Sequence, residues 1–397
     1  MTADMHGGER SGEEGDASVM FGQLLDELVE LRATGWDELV PAGDLLHCAD
    51  WLDINARTAD APPQYALTRR KSDGELLAGL ACYPLARDSA PFSFLRPDAF
   101  VARIAGNRGV SADPDLTERL GQLLPGLVCG QRRGAESRLL VSSQLSAAES
   151  LEAADVAVGV AEDFARRVGM STVAFLFVGA DDELRNVLER RGYLSFPGDT
   201  QAILDVPAGG FEDYLARLST DRRSAVRRER RKVATAGVTY EVVPAESIDS
   251  VVLLPLEAQL LKKYGHAPEL NDLASMHVEA ADVFPGHVDY LLARNEEGEI
   301  VGFIQLIRKD DVVHPRAVGF DYGFRPKLPL YFDLVYYETI QYAVDRRLRA
   351  IDYSVEAKDV KEARGCRMRR LHAYVKPLDA AARAVAERVA VLLADPG

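Results

Sequence analysis

Residues 171–178 read Ser-Thr-Val-Ala-Phe-Leu-Phe-Val, a run without one charged side chain. A strand that is apolar on both faces must be covered on both, so it belongs inside a sheet flanked by helices. Its neighbours agree. Leu139 to Ser142 reads as a short strand, and Ser146 to Val168 as a helix with Ala147, Leu151, Val156 and Phe164 among its apolar positions, closed by Gly169. Asp181 to Arg191 predicts a further helix, and Tyr193 opens a strand that ends near Val206. The order strand, helix, buried strand, helix, strand is that of an α/β layer fold.

The pattern has an echo. Upstream, Phe21 to Arg32 carries apolar residues at helical spacing, Trp36, Leu45 and Trp51 form an apolar cluster, and Tyr65–Arg69 and Leu76–Tyr83 flank a Lys-Ser-Asp-Gly turn at 71–74. Residues 85–120 read as loops and a short helix. Downstream, Phe211 to Gly237 predicts one long helix, Val238–Val243 a strand, and Ala245–Tyr264 a helix followed by a long loop. Val288–Arg294 and Ile300–Arg308 form a second hairpin across Glu296-Glu297-Gly298. Ala317–Tyr322 is a strand, Tyr331–Arg346 a helix, Ala350–Ser354 and Leu371–Val375 strands, and Leu378–Leu393 a closing helix. Each half thus offers a hairpin, a strand, a helix and a buried strand.

A chain of 397 residues accommodates two domains of ordinary size. The expected division is a solvated, disordered tail over 1–18, one domain over 19–206 and a second over 207–397. The tail lacks the basic start and apolar run of a secretion signal. No 18-residue apolar stretch occurs, so membrane insertion is not expected and a cytoplasmic setting is. Cys48, Cys82, Cys129 and Cys366 lie far apart, and His266, His314 and His372 show no ligand spacing, so no metal and no cofactor is expected.

Charge is unevenly spread. The net charge is −15, which argues against a protein that coats DNA. Yet 222–232 (RRSAVRRERRK) holds seven positive residues against one negative, and 358–370 (KDVKEARGCRMRR) six against two, leaving −25 on the remainder. An acidic body with two basic segments draws a phosphate-bearing partner to one place. On a helix, Leu215, Leu218, Val226 and Val233 share one face while Arg223, Arg227, Arg230 and Arg231 share another. Guanidinium forks suit phosphate. The bland alternative is a solvated helix paired with the acidic body.

Several segments together resemble the predicted N-acyltransferases related to the FemABX peptidoglycan aminoacyltransferases. They are Trp36-Asp-Glu-Leu39, Leu76 to Pro84, Leu123-Leu-Pro125 through Arg138-Leu-Leu140, and Phe211 to Ser219 with the basic run to Arg231. The Tyr331–Tyr337 helix with Ile340 and Ala343, and Lys361-Glu-Ala-Arg-Gly365, complete the set. The resemblance runs over most of 30–376. It implies an α/β fold of two fused GNAT-like subdomains, each a mixed sheet flanked by helices. Departures fall near the expected site. Ala357 to Val360 replaces a Gly-Gln-Gly-Glu-His segment, Tyr331 a histidine and Asp333 a glutamate, and Gln201–Leu204 an aromatic strand.

The resemblance implies an aminoacyl-tRNA donor, whose acceptor stem needs distributed positive contacts. Arg222, Arg223, Arg227, Arg228, Arg230, Arg231, Lys232, Lys358, Arg364 and Arg367 are the expected phosphate contacts. The expected acceptor is a small-molecule amine, in natural-product assembly. Transfer from an ester needs positioning, an oxyanion donor and a proton path. Lys361 is the expected oxyanion or phosphate ligand. Asp321, Asp333 and Glu356 are candidates to orient the amine, and Tyr322 and Tyr331 to donate hydrogen bonds. Two alternatives stand beside this. One is an acyl-CoA-dependent N-acyltransferase, for which Gln131-Arg-Arg-Gly134-Ala-Glu136 offers an imperfect pyrophosphate loop. The other is a non-catalytic GNAT-like protein that binds RNA or a partner.

Overall fold

The strand Thr172–Gly179 (β6) is buried along its whole length, and its two faces belong to different cores. Val173 and Phe175 pack with Ala154, Val158, Ala161 and Ala165 of the helix Ala147–Arg167. Ala174, Leu176 and Phe177 pack with Phe100 and with Val385 and Val389 of the helix Ala380–Ala394. The apolar run of 171–178 therefore sits where its composition requires. The computed structural model describes residues 19–89, 95–107, 119–132, 134–179, 183–265 and 270–394. The expected tail over 1–18 and His266 lie outside the described residues.

A single sheet of 13 strands threads the described residues. The other strands are β1 (Met20–Leu25), β2 (Gln64–Arg70), β3 (Leu76–Leu85), β4 (Gly126–Cys129), β5 (Leu140–Val141) and β7 (Leu194–Asp205). They continue with β8 (Thr239–Pro244), β9 (Val288–Arg294), β10 (Ile300–Lys309), β11 (Val312–Phe320), β12 (Ala350–Asp352) and β13 (Arg367–Pro377). Their order is β1-β2-β3-β4-β6-β13-β7-β12-β11-β10-β9-β8, with β5 on β3. Every pair is antiparallel except β4 with β6 and β11 with β12. Each half thus has four antiparallel strands, then a helix, then a strand parallel to the fourth. This is the repeat that the hairpins foreshadow.

The halves are not consecutive stretches of chain. β13 inserts between β6 and β7, and the helix after it covers the first half. β7, from the first half of the chain, carries β12 of the second through Asp205↔Ala350 to Ile203↔Asp352. A boundary at 206/207 therefore does not describe how the sheet is assembled, because residues 367–394 fold onto the first half.

Other differences have local causes. Met20–Leu25 is an edge strand and only Leu28–Arg32 is helical. Gly22 lets the long helix approach, since an added Cβ would sit 2.3 Å from Val160 Cγ2. The expected helix 211–237 is two helices, Phe211–Arg217 and Thr220–Thr235. Ser219 caps the second by accepting from the Arg222 N–H at 3.3 Å. The expected loop after Tyr264 contains a helix, Leu270–Val283. The helix expected over 331–346 runs as Leu330–Phe332, Asp333–Glu338 and Thr339–Asp345, its middle turn being π-helical. All four cysteines are buried thiols, and no helix among the described residues is long and apolar enough to cross a membrane.

Candidate active site at the seam between the halves

β11 and β12 pair only at Val312↔Ala350 and Val313↔Ile351 and then part. β11 opposes a bulge in its register with β10 between Ile304 and Leu306, and a bulge re-aims the strand. On the other side, the chain leaving β12 turns sharply. Ser354, Glu356 and Ala357 take left-handed φ values of 60°, 69° and 48°, costly for residues with a Cβ.

Lys361 secures that turn. Its Nζ donates to the carbonyl oxygens of Tyr353 (2.6 Å), Ser354 (3.4 Å) and Val355 (2.5 Å), which uses all three N–H bonds of the ammonium. The side chain is buried, and burial pushes its pKa down to about 8 against the pull of Cys366, Asp352 and Glu356. The same turn is sewn to the first half. The Ser354 hydroxyl and the Val355 N–H both donate to the Gly134 carbonyl.

Polar groups converge where the strands part. Asp352 Oδ1 accepts from the Ser354 N–H at 2.8 Å and Oδ2 from Gln201 Nε2 at 2.9 Å. His314 Nε2 lies 2.9 Å from the Gly43 carbonyl, so that nitrogen carries the proton. Its Nδ1 lies 4.0 Å from Asp352 Oδ2, and burial lowers the imidazole's pKa. Gln201 Oε1 is buried without a hydrogen-bond partner. Arg316 lies over the Trp51 ring at 5.2 Å.

A chain of alternating charge crosses the first-half side. His47 Nδ1 meets Asp44 Oδ1 at 2.8 Å, Arg138 Nε meets Asp44 Oδ2 at 3.3 Å, and Arg138 donates to Glu136 at 2.6 Å. Glu136 also pairs with Arg369 of β13. Gly179 makes room for that pair, since an added Cβ would meet both side chains. Burial would raise the Asp44 carboxyl, but His47 and Arg138 outweigh it and hold it at about 2.

The basic helix divides its arginines. Its apolar face packs as the spacing requires, with Val226 and Val233 buried. Arg230 points inward, pairing with Glu338, lying 3.7 Å from Asp333 and 4.4 Å over Phe211. Arg227 pairs with Glu212 at 2.7 Å, and Arg223 donates to the Leu218 carbonyl at 3.2 Å. The face expected from Arg223, Arg227, Arg230 and Arg231 is thus largely consumed within the protein. Arg228, Arg231 and Lys232 share the outward stripe, and among the described residues no carboxylate pairs with them or with Arg222. Beside that stripe a groove of about 580 Å³ runs between Lys232, Thr235 and Ala236 and Arg325, Lys327 and Leu328.

The profile of the FemAB-like family, described as peptidoglycan biosynthesis and recognition, matches residues 134–388. The chain belongs to the FemAB-like family. No curated protein sequence matches it significantly. Among solved structures, the crystal structure of FemX is similar with a TM-score of 0.59 at 11% identity, covering 93% of this chain and all of that one (100%). A conserved protein of unknown function from Bacteroides thetaiotaomicron gives 0.51 at 12% identity, covering 89% and 99%. A tandem GNAT protein from the clavulanic acid biosynthesis pathway gives 0.50 at 13% identity, covering 91% and 99%. These neighbours establish the tandem GNAT-like fold. FemAB-like membership on that fold supports an acyl or aminoacyl transferase.

Within this FemAB-like chain the expected site residues scatter. Asp333 is buried and accepts from the Tyr240 hydroxyl at 2.6 Å beside Arg230; burial raises its pKa. Arg364 is equally buried, stacked at 3.9 Å on Phe332 and 3.8 Å from Glu229. Tyr322 and Tyr331 lie in one aromatic group with Phe320, and Lys263 Nζ sits 4.3 Å over the Tyr322 ring. Burial pushes Tyr322 up to about 12. Asp321 accepts from the Gly323 N–H in the turn after β11. Glu356 and Lys358 are exposed at the Lys361-held turn, and Arg367 is exposed beside Asp205 at 3.4 Å. The two basic segments do meet. Arg364 of the second lies 3.8 Å from Glu229 of the first.

The residues gathered at the seam, Gln201, His314, Arg316 and Asp352, carry no signal of their own in the sequence. His314 and Arg316 alternate along one strand, and Gln201 stands out only as a departure from the family's aromatic strand. Their convergence depends on β7 carrying β12. Among the described residues no group of three His, Cys, Asp or Glu side chains is placed to hold a metal ion.

Proposed function

We propose that this chain is an N-acyltransferase that moves an aminoacyl group from aminoacyl-tRNA to the amine of a small molecule, in natural-product assembly. The observation that carries the donor reading is the outward stripe of Arg228, Arg231 and Lys232, left without carboxylate partners among the described residues on a chain of net charge −15. An acidic protein that leaves a basic stripe unneutralised favours a polyanion at that place.

The chemistry is modest. The amine nitrogen attacks the ester carbonyl, the C–N bond forms, the C–O bond breaks, and the proton lost by the amine ends on the ribose hydroxyl that leaves. An ester donor is already activated, so positioning and a proton acceptor suffice. His314, its Nε2 engaged by Gly43 and its Nδ1 open beside Asp352, supplies the proton acceptor in this reading. Lys361 acts by holding the turn that carries Asp352's neighbours, as a positioning residue.

The acyl-CoA alternative finds less support. Glu136, at the end of its candidate loop, is engaged with Arg138 and Arg369, and Gly134 gives its carbonyl to Ser354. That loop serves as a suture between halves. The test is competition between donors. The protein is incubated with a charged tRNA pool or with acyl-CoAs, in the presence of mixed amines. Consumption of the tRNA ester is the expected result. Consumption of acyl-CoA alone overturns the donor, and consumption of neither favours a binding protein.

A further inference from the structure

Resting on the transferase reading, we infer that Arg316 seats a carboxylate, so that the acceptor is an amine that is also a carboxylic acid. Arg316 stands on β11 two residues past His314, at the point where β11 leaves β12. The residue is half-buried, and its Cζ lies 5.2 Å from the centre of the Trp51 ring. Among the described residues it makes no ion pair and no hydrogen bond, although a guanidinium offers five N–H donors along its edges. Burial pushes its pKa down and Asp352 pulls it up. Asp352 acts on it electrostatically without forming an ion pair, and its own oxygens accept from Ser354 and Gln201.

An arginine withdrawn from water is ordinarily matched by an anion. Here no described carboxylate forms an ion pair with it, and the planar fork suits a carboxylate in two-point contact. The neighbouring groups are complementary acceptors. Gln201 Oε1 is buried without a donor, and His314 Nδ1 is open. An amine is a donor of the kind that each of them lacks. Cation on one side and unfilled acceptors on the other are what a molecule with an amine and a carboxylate would satisfy.

The experiment measures binding by titration calorimetry without any donor. The probes are free amino acids and short peptides, each compared with its C-terminal amide, on wild type and on Arg316→Gln. At least one acid is expected to bind wild type at least about tenfold more tightly than its amide, and Arg316→Gln is expected to bind acid and amide alike. The inference is overturned if no acid binds wild type, if amides bind as well as acids, or if Arg316→Gln retains the preference. Should that variant fail to fold, the acid–amide comparison on wild type decides alone. Because no donor is present, a failure of acids to bind sinks this inference and leaves the transferase reading to its own donor-competition test.

Discussion

Lys361 Nζ donates to the Tyr353 carbonyl oxygen at 2.6 Å, and its other two N–H bonds reach the next two carbonyls. A lysine aimed at a reacting oxyanion would keep a donor free. Lys361→Met leaves the Tyr353 and Val355 carbonyls unmatched, since the Ser354 carbonyl still accepts from the Ala202 N–H at 2.9 Å, and each unmatched group costs on the order of 1–3 kcal/mol before relaxation. We expect a stability loss of roughly 2 kcal/mol or more in urea at pH 7. A variant with native stability and turnover lowered about a hundredfold would instead place Lys361 at the reacting atoms.

The same residue gives a pH signature. Its folded value, about 8, lies below the ordinary 10.5, so the unfolded chain holds the extra proton between them. Wild-type stability relative to Lys361→Met should therefore rise with pH from about 8 to 10.5, by up to ~3 kcal/mol. Paired urea titrations at pH 7.5, 9 and 10.5 (roughly the two ends and middle of that window) check it. A flat difference would show that the three carbonyls hold the ammonium at its usual value.

Asp44 acts at the acid end. Its folded pKa of about 2 lies below 3.8, so its contribution is present above the unfolded value and is lost as pH falls from 3.8 towards 2. The loss should be about 2 kcal/mol. Asp44→Asn should flatten this limb of the acid denaturation curve, and an unchanged limb would mean that His47 and Arg138 do not engage the carboxylate in solution.

The basic helix yields opposite outcomes on its two sides. Replacing Arg228, Arg231 and Lys232 with glutamine should leave stability unchanged. It should also weaken tRNA binding and reduce the log–log salt slope by about one for each phosphate no longer neutralised. Arg230→Gln should do the reverse. It strands Glu338 and Asp333, and because the guanidinium is about a third exposed the cost should fall below that of a fully buried pair, at about 2 kcal/mol. Filter binding across a salt series, with melting curves beside it, separates the two sides.

Periodicity and composition carry the α/β layering, because runs such as 171–178 tolerate no other placement. They also carry the apolar face of the basic helix, since Val226 and Val233 lie at helical spacing. They do not reveal the exchange of β13 and β7, which rests on pairing between residues more than 140 positions apart, Ile203 with Asp352 being one. Ser219 is legible as a cap, yet the apolar spacing runs straight through it and hides the break between two helices. Arg223, Arg227 and Arg230 look like a phosphate face on a bare helix, and only the partners Leu218, Glu212 and Glu338 show otherwise. The seam is illegible for a similar reason. Gln201, His314, Arg316 and Asp352 come from three strands, and apart from the departure at Gln201 nothing local marks them.

The most direct measurement of the central claim follows label from a charged tRNA pool into amide. An aminoacyl ester is cleaved by mild base and an amide is not. After incubation with labelled aminoacyl-tRNA and a pool of amines, the label should appear in base-stable, low-molecular-weight product with wild type. It should fall away with the Arg228, Arg231 and Lys232 glutamine variant at limiting donor. If all label remains base-labile, or if base-stable product forms only from acyl-CoA, the chain is not an aminoacyl-tRNA-dependent N-acyltransferase.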